Sequence, residues 1–447
     1  MRMLVAIWAA KLSAVLGIAL RKKSSSTPGA IALKLCPDII KKLKKNIKKQ
    51  VIVVCGTNGK TTTNNLMSLA LKNSGYRVVC NSLGANMLSG VATAFALQCN
   101  WLGRLKADYA CLEVDEAYTV KVFEHIAPDV VVVTNIFRDQ LDRYGEISSV
   151  MGVMSKAFES AGYPTLILNG DDPISSGFGR DYKGEVRYIG IGEKVLDTNY
   201  EASEGNFCSV CGGEQKYNFH HYSHLGDYYC TQCENKRPKI DFEASKVDLS
   251  QGIKFVVDKQ EISLNYKGFY NIYNILDVYA ALKTLDIDSG KFSGLLDSYK
   301  PQIGRMQEID LGKPVILNLA KNPAGFNQAI QTVIQDTRKK DVIIAVNDKP
   351  SDGTDVSWLW DVDFEKIADS SLSRLIVSGM RRYDLALRFK YCGVKVDVIT
   401  EDMKSFIESC TLSDAEVCYV LVNYTALFST EKAILEIKKE RERGKNE

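Results

Sequence analysis

The segment VIVVCGTNGKTTT, residues 51–63, constrains the fold more than any other part of the chain. Its five leading apolar residues, mostly β-branched, read as a buried strand. Two glycines then frame a short loop, and Lys60, Thr61 and Thr62 stand where a helix begins. A strand that feeds a helix through such a turn suits a phosphate loop. Glycines let backbone N–H groups approach the anion, and the helix start carries positive partial charge. Gly56, Thr57, Asn58, Gly59, Lys60, Thr61 and Thr62 are therefore assigned to phosphate binding. Lys60 reaches the outer phosphates and Thr61 offers a hydroxyl to Mg2+. The strict motif would have glycine at position 54; Val54 stands there, so the loop is a variant. Ligands in open parallel sheets bind beyond the carboxyl ends of the strands, which points the chain to an α/β fold.

The rest of the chain follows that rhythm. VIVVC, YRVVC, YACLEV, PDVVVVTN and YPTLILN alternate with helical stretches, as in a mostly parallel sheet covered on both faces. PVILNLA, DVIIAVND, SRLIVSG, VKVDVIT and EVCYVLVN repeat the pattern further on. The chain has 447 residues, room for two or three domains. The expected order is an N-terminal helical segment (1–45) packed on an ATP-binding domain (46–310), then a smaller Rossmann-like α/β domain (311–447). The apolar run Leu4–Leu20 is interrupted by Lys11 and followed by Arg21, Lys22 and Lys23. It falls short of the roughly 20 apolar residues of a span. It reads as a helix packed on the domain, with a membrane-surface helix as the functional alternative. Net charge is +3, no footprint for nucleic acid. The charged tail KKERERGKNE reads as a frayed helix end.

Carboxylates are expected at strand ends beside the phosphate loop. Glu113 is the first choice as a Mg2+ ligand; Asn135, Asp139, Asp142, Asn169, Asp171 and Asp172 lie in similar places, the Asp residues reading equally as turns or caps. Residues 200–240 break the rhythm, being poor in aliphatics. They contain Cys208-x2-Cys211-x18-Cys230-x2-Cys233, the spacing of a closed, structural four-cysteine zinc site in an inserted ribbon of about 205–237. His220, His221 and His224, between the two pairs, read as surface loop residues rather than ligands. The other eight cysteines are scattered and read as reduced core residues. In NDKPSDGTDVSWLWDVDFE, residues 347–365, Asp348, Asp352 and Asp363 read as solvated turn residues. Trp358 and Trp360 there belong either to the core or to an interface.

Several of these segments, in this order, resemble the Mur ligase family, whose members join a carboxylate to an amine using ATP. GTNGKTT resembles its phosphate loop, LEV its Mg2+ glutamate, and LNGDDP another family segment. GFYNIYNILDVYAA resembles its adenine-side helix, with Asn271 and Asn274 in the matching places, and GRMQ resembles a hinge whose Arg305 faces the phosphates. Gln140, Asn318 and Lys321 stand where the family usually has His, Asp and His. The four-cysteine insertion, NLAKNPAGF, DGTDVSWLWD and SGMRRYDLALRFKYCG are similar to the glutamine-dependent amidating branch. That resemblance implies ATP-dependent amidation of the D-glutamate α-carboxylate of lipid II, with Lys60 and Glu113 as catalytic residues. It also implies a GatD-type glutamine amidotransferase partner whose catalytic His is oriented by Asp355. The implied cofactors are ATP, Mg2+ and structural Zn2+. The expected location is cytoplasmic with no span, and the N-terminal helix leaves peripheral contact at the inner membrane face as its alternative reading. The chain offers no recognisable Cys–His glutaminase pair, in keeping with ammonia from another chain. A stand-alone ligase that adds an amino acid is the alternative reading.

Overall fold

In the computed structural model, Val51–Cys55 (β1) is buried at every position and lies within a nine-stranded sheet. The structure describes residues 1–19, 25–81, 85–138, 146–196, 205–250, 252–264, 268–290, 292–296, 299 and 303–444. Asp139, Gln140 and Asp142 lie outside the described residues. The other strands of this sheet are Val78–Cys80 (β2), Tyr109–Glu113 (β3), Val130–Val133 (β4), Thr165–Asn169 (β5) and Val186–Ile191 (β6). After the inserted hairpin Gln215–Tyr222 (β7) and Leu225–Cys230 (β8) come Phe242–Asp248 (β9), Ile253–Val257 (β10) and Gln260–Leu264 (β11). The order is β11-β10-β9-β6-β5-β4-β1-β3-β2, parallel from β9 to β2 and antiparallel where β10 and β11 join. Parallel strands covered on both faces are apolar throughout, which is why VIVVC and VVVV show no alternation.

Three helices precede β1: Arg2–Ala19 (α1), Thr27–Leu35 (α2) and Ile39–Lys44 (α3). Lys60–Asn73 (α4) and Leu88–Gln98 (α5) follow β1 and β2; Thr119–Phe123 (α6) and Ile147–Ser160 (α7) flank β4. α2 and α5 cross closely through small residues. The Gly29 N–H donates to Thr93 Oγ1 at 2.8 Å, and a Cβ at Gly29 would sit 1.9 Å from the Ser89 carbonyl oxygen. α1 buries Ala6, Ile7 and Ala10 against this pair. It is long and apolar enough to cross a membrane by length and composition alone.

By its internal contacts the chain divides into two units, with the main break between Tyr299 and Lys300. The break precedes the expected 310 because Gln307–Asp310 (β12) pairs antiparallel with Pro314–Leu319 (β13). Lys340–Ala345 (β14), Leu372–Ser378 (β15), Val398–Ile399 (β16) and Val417–Val422 (β17) complete the second sheet, ordered β12-β13-β17-β14-β15-β16. Asn271–Thr284 (α8) and Phe292–Leu296 (α9) end the first unit; Pro323–Gln335 (α10), Arg382–Tyr391 (α11), Met403–Leu412 (α12) and Tyr424–Gly444 (α13) belong to the second. Lys340 is fully buried in that unit, its ammonium donating to the carbonyls of Val333 (2.7 Å) and Asp336 and pairing with Asp369 at 3.4 Å. No disulfide links any of the twelve cysteines; of the eight scattered ones, Cys36, Cys55, Cys99, Cys111, Cys410 and Cys418 are buried, while Cys80 and Cys392 are half-buried.

The α2–α5 crossing gives the fold a direct test. Gly29→Val forces backbone to move rather than a flexible side chain. We expect destabilisation of about 1–3 kcal/mol, read as a lowered denaturation midpoint. An unchanged midpoint would contradict the close crossing.

Candidate active site and metal centre

Gly56 and Gly59 have φ of 114° and 88°, a region that side chains avoid. A Cβ at Gly56 would also meet Thr134 Oγ1 at 2.4 Å, and one at Gly59 would meet Asn274 Oδ1 at 2.2 Å. Both glycines are needed for conformation and for room. The loop is tied to the segment after β4. Asn58 N–H donates to Asn135 Oδ1 at 2.9 Å, while Asn135 Nδ2 and Thr134 Oγ1 donate to the Asn58 carbonyl at 3.1 and 2.7 Å. Thr57 N–H donates to the Asn135 carbonyl, and Thr57 Oγ1 accepts from Phe137 N–H at 2.9 Å. Thr63 Oγ1 reaches Asn274 Oδ1 at 3.4 Å, and Asn274 Nδ2 donates to Asn271 Oδ1 at 3.1 Å, so α8 is tied to the start of α4.

Lys60 is buried at the first position of α4. Its ammonium donates to the Gly56 and Thr57 carbonyls and pairs with Glu116 at 3.2 Å. Glu116 escaped the sequence reading; its only signal is its place three residues after Glu113 in LEVDEA. Glu113 is buried at the end of β3, in register with Val54 of β1. Its backbone is clasped by Asn81, which accepts from Glu113 N–H and donates to its carbonyl, both at 2.8 Å, and its Oε1 accepts from Asn86 at 3.4 Å. Thr61 and Thr62 lie in the same first turn, Thr61 half-buried. A carboxylate and a hydroxyl are hard oxygen donors of the type Mg2+ takes, so Glu113 and Thr61 fit that ion chemically.

The ribbon brings the four cysteines together: the Sγ atoms of Cys208, Cys211, Cys230 and Cys233 lie within 4.8 Å of one another. Cys208–Cys233 is 3.7 Å and Cys211–Cys230 is 3.5 Å. Four sulfurs at Zn–S distance stand about 3.8 Å apart, so the residues fit a tetrahedral ion. Backbone N–H groups of Val210, Gly213 and Gln232 point at three of the sulfurs. Burial resists ionisation of Cys208, but the N–H groups of Cys211 and Val210 outweigh it and bring the thiol down to about 6.

The histidines correct the sequence reading. His221 and His224 are fully buried, not on a surface loop, and the metal-ready cluster among the described residues contains no histidine. Asp171 and Asp172 are fully buried in the turn after β5, where the Asp172 carboxylate accepts from Ile174 N–H at 2.8 Å, in keeping with the turn reading. Asp171 accepts from Arg237 Nε (2.6 Å), Tyr273 OH (2.8 Å) and Ile191 N–H (2.8 Å). Burial pushes its carboxyl up, and Arg237 pulls against that shift. His221 Nε2 lies 3.8 Å from Asp171, and burial lowers the ring to about 3, so it is neutral. Asp172 joins the ribbon to the phosphate loop. One oxygen meets His224 Nε2 at 3.1 Å and the other accepts from Ile136 N–H at 2.8 Å. Ile136 sits between the two residues that strap the loop, and the His224 ring packs 4.8 Å from that of Phe137.

Arg305 and Asp355 belong to the second unit. Arg305 is half-buried in the turn before β12. Asp355 accepts from Ser357 N–H at 2.8 Å, two residues ahead of the turn Ser357–Asp361, and that bond lowers its carboxyl. Its neighbours are less solvated than expected. Asp352 is buried and accepts from the backbone N–H and hydroxyl of Thr425 at the start of α13. Asp348 pairs with Arg381 at 2.7 Å, and Asp363 with Lys366 at 2.8 Å. Trp358 packs on the core through Phe326, with centroids 5.3 Å apart, whereas Trp360 is exposed beside Tyr391.

A family model of the Mur ligase middle domain matches residues 54–282, and one of the MurT ligase C-terminal region matches residues 319–427. The chain is 33% identical over 431 residues to the lipid II isoglutaminyl synthase (glutamine-hydrolyzing) subunit MurT of Staphylococcus aureus (strain COL), covering 96% of each. It is 34% identical over 412 residues to the subunit of that name from Streptococcus pneumoniae (strain ATCC BAA-255 / R6), covering 91% of each. Its fold is similar to a pseudomurein peptide ligase type C from Methanothermus fervidus, with TM-score 0.69 and 26% identity over 88% of this chain and 80% of that one. MurF ligase from Thermotoga maritima in complex with ADP shares the fold at TM-score 0.65 and 14% identity, over 92% and 84%. The chain belongs to the Mur ligase family, in the branch of the MurT subunits.

Proposed function

We propose that this chain is the ATP-using subunit of a lipid II isoglutaminyl synthase, acting in peptidoglycan synthesis. It amidates the α-carboxylate of D-glutamate in the lipid II stem peptide to D-isoglutamine. The carrying observation is a preassembled phosphate loop with a buried Lys60, in a chain that matches subunits of that name along nearly its whole length. A carboxylate is a poor electrophile. The γ-phosphoryl group of ATP passes to a carboxylate oxygen, giving an acyl phosphate and ADP. Ammonia then attacks the carbonyl carbon; the C–N bond forms, phosphate leaves with the C–O electron pair, and the nitrogen loses a proton. Lys60 and the loop N–H groups hold the phosphates and neutralise the charge that develops on them. Glu113 and Thr61 would hold Mg2+, which would supply further positive charge to the phosphates. Asn271 is assigned to the adenine side and Arg305 to the phosphates by their places in the family segments.

Ammonia comes from glutamine hydrolysed by a GatD-type partner subunit. Support for a docked partner lies beside Asp355. Met380, Tyr383, Leu387 and Tyr391 are exposed at helical spacing along and just before α11, and Trp360 joins them through Tyr391. Aromatic residues left in water at this density suit an interface. Asp355, held just ahead of the same turn, orients the partner's catalytic His and stabilises its cation. The four ribbon cysteines hold a structural Zn2+, and the reaction takes place in the cytoplasm, where ATP and glutamine are available.

Four outcomes check this reading. In the reconstituted complex, Lys60→Ala lowers amidation by on the order of 10²-fold or more while subunit association persists. Mass spectrometry of lipid II after incubation with ATP and glutamine reads the loss; full activity would refute the phosphate-loop assignment. Asp355→Asn lowers glutamine hydrolysis by on the order of 10²-fold or more with nucleotide binding unchanged; undiminished hydrolysis would leave Asp355 as a structural residue alone. Metal analysis finds about one zinc per chain. His224→Ala keeps that zinc but weakens nucleotide binding by roughly tenfold, because the strap loses its support at Asp172. Unchanged affinity in titration calorimetry would show that the ribbon and the loop are independent.

A further inference from the structure

The outward face of α1 is apolar and uncovered. Val5, Trp8, Leu12, Val15 and Leu16 recur at helical spacing, with Leu12 58% and Leu16 61% exposed. Trp101 and Leu102, in the turn after α5, extend the surface and are also exposed. The polar groups nearby are turned away from it. Lys11 Nζ donates to the Leu97 carbonyl at 2.9 Å and lies 5.4 Å from the Trp101 ring, so its charge sits against the protein. The Trp8 indole N–H donates to the Trp101 carbonyl at 2.8 Å. The indole donor would therefore stay paired if this face entered an apolar medium.

Charge marks the same end of the chain. Residues 1–50 contain twelve Lys and Arg against a single acid, Asp38, while the remaining residues carry net negative charge. Among the described cations, Lys41, Lys42, Lys45 and Lys48 are exposed around α3, and Arg104 and Lys106 follow Trp101. An exposed apolar helix face with two tryptophans, on the end of the chain that carries the excess of exposed cations, is complementary to the headgroup region of an anionic bilayer.

We propose that α1 and the Trp101 turn form a docking surface for an anionic lipid bilayer, with α1 lying in the interface rather than spanning it. Spanning would strip Ala6, Ile7 and Ala10 from the core and break the Trp8 and Lys11 contacts. The lipid-linked substrate rests on the function proposed above; the surface itself does not. Docking concentrates the enzyme in the plane that holds its substrate.

The full chain, in complex with its glutaminase, should co-sediment with phosphatidylglycerol/phosphatidylcholine vesicles. Binding should be roughly tenfold or more weaker on pure phosphatidylcholine or in high salt. Leu12→Glu/Leu16→Glu alters exposed positions only. It should keep the wild-type melting temperature and full activity on a short-chain, water-soluble lipid II analogue, yet lose roughly tenfold or more of vesicle binding. Equal vesicle binding by variant and wild type would overturn the proposal. So would wild-type self-association, or glutaminase binding, that the double variant abolishes without any vesicle binding. No amidation of the soluble analogue by the wild type would instead count against the enzymatic reading and leave vesicle binding to be judged by itself.

Discussion

Two adjacent carboxylates, Asp171 and Asp172, are taken fully out of water after β5, and much of the first unit is arranged around that constraint. A buried carboxylate costs several kcal/mol unless charge and hydrogen bonds replace its hydration. The chain meets the need from four distant segments: Ile136 after β4, Ile191 at the end of β6, Tyr273 on α8, and Arg237 with His224 from the ribbon. Each partner is thereby fixed in place. The ribbon has little aliphatic content, and its sulfurs stand ready for an ion that replaces a core. Its far end can nevertheless position nucleotide-binding backbone, because the Asp pair fastens that end to the sheet.

The phosphate loop is preorganised by the same economy. The Asn135 side chain closes a reciprocal pair with the Asn58 backbone, and Asn274 fills the space opposite Gly59. Lys60 lies among loop carbonyls and Glu116, already desolvated. On the proposed function, nucleotide phosphates would compete with Glu116 for a cation that has little hydration left to lose. That favours binding to the more highly charged ligand and keeps the ammonium from straying in its absence.

How legible each part was follows from chain distance. The phosphate loop and the paired cysteine knuckles are contiguous, and their chemistry is written in neighbouring residues. Parallel strands announced themselves as unbroken apolar runs. The errors fall where a side chain's environment is made by a remote segment. His224 looks like a loop residue until Asp172, 52 positions away, meets it. Asp352 looks like a turn residue until Thr425, 73 positions away, turns it into an anchor for α13. Glu116 has no motif of its own, since its role depends on Lys60, 56 positions earlier. β12 lies just before the expected boundary at 310, because four residues carry too short a pattern to reveal which sheet they join.

The uncovered surfaces divide along the same line as the chemistry. The first unit has the phosphate loop and the exposed apolar face of α1; the second has Asp355 and the exposed stripe of α11. On the proposed function, an acyl phosphate would be lost to water unless ammonia reached it first, so the ammonia source would have to be held close while the lipid-linked carboxylate is held as well. A single sticky surface would make those two attachments compete. Surfaces built from different residues on different units avoid that competition. They also differ in kind: aromatic rings on α11 suit a shaped protein partner, while a flat aliphatic face flanked by tryptophan suits a fluid interface that offers no pockets.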